Sequence, residues 1–293
     1  MRIPFVTVDV FTDRPFGGNP LAVILDARGL SDAQMQAIAR EFNYSEQTFV
    51  LPPENPAHTA RVRIFNPTAE MPFAGHPNVG TAYVLARAGT VLGQPVGDAL
   101  VFEEGAGAVR AEVLRDGANV VGARIATPQP LDLGPEVPVA PLAACVGLPP
   151  DAFSAVAHPP RVASVGLTQV FAELPDLATL VAARPDPSAF AAAEAALPLG
   201  GAALLLHIWT RTGSGTVRAR MFGPTIGVPE DPATGSAAGA LGALLAARGE
   251  GTDLVIEQGI EMGRPSRIEV AVRGAAVTIA GPCVPVMEGV LTL

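Results

Sequence analysis

Apolar and polar residues alternate along residues 3–11, 21–25, 48–51, 60–65, 109–114 and 119–126, the period of half-buried strands. The same alternation returns along 161–165, 170–174, 203–210, 217–222, 254–257, 267–272 and 276–279. Helical spacing is rarer. Ser31 with Gln34 forms a capping-box pattern ahead of Met35, Ile38 and Ala39, which predicts a helix ending near Phe42. Further helices are expected over 77–88, 177–183, 188–196 and 236–248, the last stopping at Gly249. Strands outnumber helices and often follow one another, so the expected class is α+β with largely antiparallel pairing. Pro- and Gly-rich stretches at 127–141 and 148–160 read as the linker between two halves.

The two halves share a pattern. Arg61-Val62-Arg63-Ile64-Phe65-Asn66-Pro67 matches Arg218-Ala219-Arg220-Met221-Phe222-Gly223-Pro224 at four of seven positions, with Ile64 against Met221 conservative. Pro72-Phe73-Ala74-Gly75-His76 then stands opposite Pro232-Ala233-Thr234-Gly235-Ser236. Each leads into an alanine-rich helix closed by Gly89 or Gly249. The offset grows from 157 residues (218 − 61) to 160 (235 − 75), so the second loop is longer by three. Two matches in order, joined by the same strand–loop–helix reading, indicate a duplication.

Composition narrows the function classes. The 293 residues carry 49% hydrophobic and 16% charged side chains, enough for a sizeable core and against disorder. Mean hydropathy is positive at +0.35, yet the most apolar stretch, 190–209, is interrupted by Glu194, Pro198 and His207, so no spanning helix is expected. A net charge of −9 argues against nucleic acid as a partner. The start of the chain alternates like a strand and lacks the pattern of a signal peptide. Cys145 and Cys283 have no metal-ligand spacing, and a cytoplasmic protein with two reduced thiols is expected.

The repeated loop carries the candidate chemistry. Each helix begins beside a glycine, where the first backbone N–H groups lack internal partners and the helix dipole is positive. Two such ends are expected to face each other and hold an anion. His76 sits in the first loop, and Asp231, Thr234 and Ser236 in the second. Tight strand-to-helix joints with Thr234 or Ser236 as ordinary caps would leave the same pattern. The paired arginines 61, 63, 218 and 220 repeat by duplication and read as fold residues, while His58, His158 and His207 are scattered and form no metal-ligand cluster.

Three segments resemble the signatures of the PhzF family: Asn43-Tyr44-Ser45-Glu46-Gln47-Thr48-Phe49-Val50, Pro72-Phe73-Ala74-Gly75-His76-Pro77 and Glu230-Asp231-Pro232-Ala233-Thr234-Gly235-Ser236-Ala237. Gly18-Asn19-Pro20-Leu21-Ala22-Val23 and Gln258-Gly259-Ile260-Glu261-Met262-Gly263-Arg264-Pro265-Ser266 agree as well. The resemblance implies a diaminopimelate-epimerase-like fold, two pseudo-symmetric halves each with a mixed sheet or barrel wrapped around a central helix. It implies an N-terminal half of residues 1–127, joined by the strand 282–293, and a C-terminal half of 128–281, with a cleft between them. It also implies a homodimer and a cofactor-independent, metal-free isomerase acting on a small carboxylate-bearing molecule. The family's acid/base carboxylate falls on Glu46, its histidine on His76, and its aspartate and serine on Asp231 and Ser236. Gly75, Gly235 and Thr234 would bind substrate. Related racemases place cysteines where this chain has Gly75 and Gly235, so a two-thiol mechanism is not implied.

The expected reaction is a suprafacial proton shift in which Glu46 takes a proton from one carbon and returns one to another. An ordinary carboxylate is a weak base for that task, so apolar neighbours are expected, with Phe42, Tyr44, Phe49 and Phe73 as candidates and Asp231 as a neighbouring like charge. Two other functions stay open: an epimerase or dehydratase using the same carboxylates, and a silent binding protein that keeps the cleft.

Overall fold

The computed structural model describes residues 1–153 and 156–293, and the chain separates into two compact units. The first holds Met1–Pro128 and Thr278–Leu293, the second Gln129–Val277.

In the first unit, β1 (Arg2–Val10), β2 (Asn19–Ile24), β3 (Glu46–Leu51), β4 (Ala60–Phe65), β8 (Ala99–Glu104), β9 (Gly107–Asp116), β10 (Asn119–Ala126) and β19 (Ala276–Thr292) pair in that order, and β19 closes on β1. The result is a closed eight-stranded barrel without a free edge. Pairing is antiparallel except β2–β3 and β4–β8. Short strands β5 (Glu70–Met71), β6 (Thr90–Val91) and β7 (Gln94–Pro95) complete the unit. α1 (Asp32–Phe42) connects β2 to β3, starts with the expected capping box, and ends where Asn43 turns left-handed at φ 53°. Its Met35, Ile38 and Ala39 cover one barrel face with Phe49 and Phe65.

α2 (Gly75–Ala88) is buried from Gly75 through Ala86 and packs on β1, β2, β3, β9 and β10. Most of its residues are small or apolar, and buried polar groups among them find partners nearby, as Thr81 does in Thr48 and Asn78 Nδ2 in Ala74 O. Gly80 lets it press on the wall, since a Cβ there would lie 2.5 Å from Leu21 Cδ2 and 2.8 Å from Val10 Cγ2.

The second unit repeats the plan. β11 (Asp132–Glu136), β12 (Arg161–Ser164), β13 (Gln169–Glu173), β14 (Leu206–Gly213), β15 (Thr216–Gly223), β17 (Asp253–Gln258) and β18 (Ser266–Arg273) pair in sequence. The two parallel pairings recur at the equivalent places, β13–β14 and β15–β17. β16 (Val228–Asp231) folds back on β15 as β5 does on β4, and the central helix is α6 (Gly235–Ala247), buried from Gly235 through Leu245. Register confirms the duplication: Ile64 faces Met71 and Met221 faces Asp231. The three extra residues of the second loop are accommodated by a 3₁₀ turn at Pro224–Ile226. α3 (Val139–Cys145), α4 (Leu177–Ala182) and α5 (Pro187–Ala196) enclose a core that includes Phe153, Phe190 and Leu206.

Several expectations need correction. Residues 127–141 are not a bare linker, because β11 and the start of α3 lie there. Pro141 is tolerated in the first turn of α3, where its missing N–H would have no partner. The second joint, 148–160, contains a 3₁₀ turn at Pro150–Phe153, and its residues Ser154 and Ala155 fall outside the described residues. β8 was not anticipated, since Leu100-Val101-Phe102 runs apolar without alternating and ends in two glutamates. The repeated arginines serve the fold. Arg63 forks onto Glu70 and reaches Asp32, and Arg220 forks onto Glu230 while donating to the carbonyls of Leu180 and Ala183.

Candidate active site

Strand alternation places Glu46 and Thr48 on one face of β3 and Gln47 and Phe49 on the other. Thr48 Oγ1 meets Thr81 Oγ1 of α2 at 2.8 Å, so the face that carries Glu46 is the one turned toward the central helix. Phe49 therefore lies with the α1 cluster on the opposite side, where Phe42 also packs on Phe5 at 5.0 Å. Neither is the apolar neighbour expected for Glu46.

His76, in the first turn of α2, meets Glu46 across this face. Its Nδ1 lies 3.7 Å from Glu46 Oε2, beside a carboxylate 18% exposed. That nitrogen is already occupied. Ser45 Oγ donates to Asn19 Oδ1 at 2.9 Å, which turns the Asn19 amide so that Nδ2 donates to His76 Nδ1 at 3.2 Å. An amide nitrogen cannot accept, so Nδ1 is the acceptor and the ring proton sits on Nε2. His76 Nε2 is buried and has no partner. Burial lowers the pKa of the ring to about 3, so it stays neutral at physiological pH. The arrangement is a partly exposed carboxylate beside a neutral imidazole with its one N–H free for a ligand.

The second unit builds its own half-site. Asp231 ends β16 and is buried, and Thr234 Oγ1 donates to its Oδ2 at 2.6 Å. Gln258, the last residue of β17, grips both ends of this loop. Its Nε2 donates to Asp231 O at 2.7 Å and Thr234 Oγ1 at 2.9 Å, and its Oε1 accepts from Thr234 N at 3.3 Å. Ser266 Oγ is within hydrogen-bond reach of the carbonyls of Pro232 and Gln258. Ser236 lies in the first turn of α6, and Gln169 Nε2 donates to its Oγ at 2.9 Å. The serine hydroxyl thus accepts from the protein and keeps its own proton to donate. Gln169 Oε1 is buried without a partner.

Thr234 is the N-cap of α6, but its side chain turns away to Asp231 and caps nothing. Ser236, expected to cap, lies inside the helix. The N-cap of α2 is Ala74, which has no side chain able to cap. Both central helices therefore begin without a side-chain cap, one at Gly75 and the other at Gly235.

Asn19, Ser45, Gln169 and Gln258 complete these half-sites. All but Gln169 lie within family-like segments, yet each works through a contact tens of residues away or through a loop closed by the fold, which spacing alone does not reveal. Cys145 and Cys283 are free and buried, with burial pushing the Cys145 thiol up to about 12. Among the described residues no three His, Cys, Asp or Glu side chains are grouped to hold a metal ion, and no helix is long and apolar enough to cross a membrane.

Two units of one plan, each wrapped around a buried central helix with polar side chains at its start, give the diaminopimelate-epimerase-like fold, and the relatives make the class an isomerase. A sequence model of the PhzC-PhzF family, described as phenazine biosynthesis-like protein, matches residues 8–289, and the chain belongs to that family. It is 40% identical to an uncharacterized isomerase of Mesorhizobium japonicum, with 98% of each chain covered. It is 36% identical to the trans-2,3-dihydro-3-hydroxyanthranilate isomerase of Pseudomonas chlororaphis, with 99% of each covered. Among solved structures, a predicted epimerase from Pseudomonas aeruginosa superposes with a TM-score of 0.83 at 30% identity, covering 99% of both chains.

Proposed function

We propose that the protein isomerises a small, conjugated, carboxylate-bearing metabolite by moving one proton between two of its carbons, without a cofactor. Glu46 is the acid/base: it takes the proton from one carbon, charge spreads through the conjugated system toward the carboxylate, and Glu46 returns a proton to the second carbon. His76 takes part as a neutral donor, its Nε2–H offered to the charge that builds up on the substrate. Ser236, Thr234 and the helix amides beginning at Gly75 and Gly235 bind the substrate's polar groups, and Asp231 completes the polar set. Residues 1–127 and 282–293 make one half and 128–281 the other, the enzyme works as a homodimer in the cytoplasm, and the compound named for the relatives, trans-2,3-dihydro-3-hydroxyanthranilate, is the first substrate to try.

The observation that carries this reading is Glu46 Oε2 at 3.7 Å from a buried imidazole whose second nitrogen is orphaned. A neutral imidazole cannot replace the carboxylate as the acid, so proton transfer falls to Glu46. The test is incubation with that compound in D₂O, read by proton NMR. An isomer with shifted double bonds is expected, with a deuteron at the second carbon in the fraction of turnovers in which the Glu46 acid exchanges with solvent before it returns the proton. Loss of water, or inversion at a single centre with no shift of the double bonds, would replace this reading with a dehydratase or an epimerase.

A further inference from the structure

Glu104 ends β8 just before Gly105, and Gln258 ends β17 just before Gly259. Both glycines lie against the proline of their own loop: a Cβ on Gly105 would lie 3.2 Å from Pro72 Cα, and one on Gly259 3.1 Å from Pro232 Cα. The two side chains thus leave the backbone at equivalent places, one beside loop 71–76 and the other beside loop 231–236. Gln258 spends its amide on that loop, donating at Nε2 and accepting at Oε1. Glu104 is buried at both carboxyl oxygens and neither has a hydrogen bond. Asn78 approaches it from α2, short of a formed bond; Asn78 Nδ2 is committed to Ala74 O at 3.0 Å and its Oδ1 has no partner.

A carboxylate at this place presents only acceptors, and both of its oxygens stay buried without a donor. A carboxylic acid presents one donor and one acceptor, the complement that Gln258 uses. No cation offsets the charge among the described residues. Around the adjoining cleft of about 600 Å³, Glu103 is taken up by His58 and the amides of Glu54 and Asn55, Arg61 by Glu54, and Arg63 by Glu70 and Asp32. Burial accordingly holds the Glu104 carboxyl well above the usual carboxylate range.

We propose that Glu104, as a carboxylic acid, holds the loop bearing Gly75 and His76 as the Gln258 amide holds loop 231–236, and so acts as a positioning residue for the Glu46–His76 pair. The catalytic part of this statement depends on the proposed function; the holding of the loop does not.

Glu104→Gln and Glu104→Ala test both parts. The unfolded glutamate ionises near pH 4.5 while the folded one keeps its proton, so the wild type loses stability as pH rises above that value, and the glutamine variant does not. The melting temperature of Glu104→Gln should exceed that of the wild type by a margin that widens from pH 5 to pH 8. Amide exchange at residues 73–76 should speed up in Glu104→Ala and stay slow in Glu104→Gln. On trans-2,3-dihydro-3-hydroxyanthranilate, alanine should lower kcat by about tenfold or more with little change in KM, and glutamine should restore it. A glutamine variant less stable than wild type at pH 8, a margin that does not change with pH, or an alanine variant with unchanged exchange would overturn the proposal. If the wild type fails to convert the compound, the proposed function falls, and the melting and exchange results still decide the role of Glu104.

Discussion

His207 is a second buried histidine, remote in role from the candidate site, and its chemistry gives a quantitative handle on the fold. It lies on β14, cross-strand from Met221 and 5.5 Å from the Phe171 ring, with no exposure and no partner at either ring nitrogen. Desolvation lowers its pKa to about 3. In the unfolded chain the same ring titrates near 6.5, so below that pH the unfolded state binds a proton that the folded state refuses. Stability is therefore lost as pH falls through 6.5, and the loss continues until the folded ring titrates. Between pH 7.5 and 5.0 the linkage amounts to RT ln(32.6/1.1), about 2 kcal/mol for one such histidine. The figure is insensitive to the folded pKa provided that it lies below about 4. His207→Leu removes the titration and two unsatisfied nitrogens while keeping an apolar side chain of similar size. Urea unfolding of both proteins at pH 7.5 and 5.0 should show the wild type losing about 2 kcal/mol more than the variant across that interval. His76 and Glu104 titrate in both proteins, so their contributions cancel in the difference. An equal loss in both proteins would mean that His207 is hydrated or paired when folded, and the packing assigned to β14 would be wrong.

Other changes probe the site and the repeat. Asn19→Leu deprives His76 Nδ1 of its donor and frees the ring to adopt the other tautomer; kcat should fall by about 10- to 100-fold while the urea midpoint stays near that of the wild type, and an unchanged kcat would remove Asn19 from the site. Arg220 and Arg63 hold equivalent positions, but the side chain of Arg220 is 4% exposed against a 16% exposed Glu230, whereas Arg63 pairs with Glu70 at 44% and Asp32 at 82%. Arg220→Ala should cost about 3–5 kcal/mol, and Arg63→Ala about 1 kcal/mol, in urea unfolding at pH 7.5. Equal costs would show that burial does not set the worth of these pairs.

The repeat was legible because it lies in local strings: Arg-x-Arg-x-Phe-x-Pro, the proline-led loop and the alanine-rich helix recur in order, and each folds into the same strand–loop–helix. α1 was legible through Ser31 and Gln34, whose reciprocal bonds are local. β8 and β11 were not. The first lacks alternation because Leu100 and Phe102 face the barrel interior and Val101 is half-buried, and the second hides among Pro130, Gly134 and Pro135, with Gly134 required by the close approach of Val162. The site shows the same division. Glu46, His76, Asp231 and Ser236 were named from motifs. The roles of Asn19, Gln169, Gln258 and Glu104 depend on which side chain the barrel brings to which helix start, and only the fold supplies that. The expectation that Phe42 and Phe49 would desolvate Glu46 failed because Phe49, an odd number of residues along β3, points to the opposite face, and Phe42 ends α1 and packs with it on that side.

The central claim is that one carboxylate moves the proton, and Glu46→Gln tests it most directly, since the amide keeps the shape of the side chain and removes its base. With the urea midpoint unchanged, turnover of trans-2,3-dihydro-3-hydroxyanthranilate should fall by about 10²–10⁴-fold. A glutamine variant that folds normally and turns over within about threefold of the wild type, less than any general acid/base contribution, would contradict the assignment.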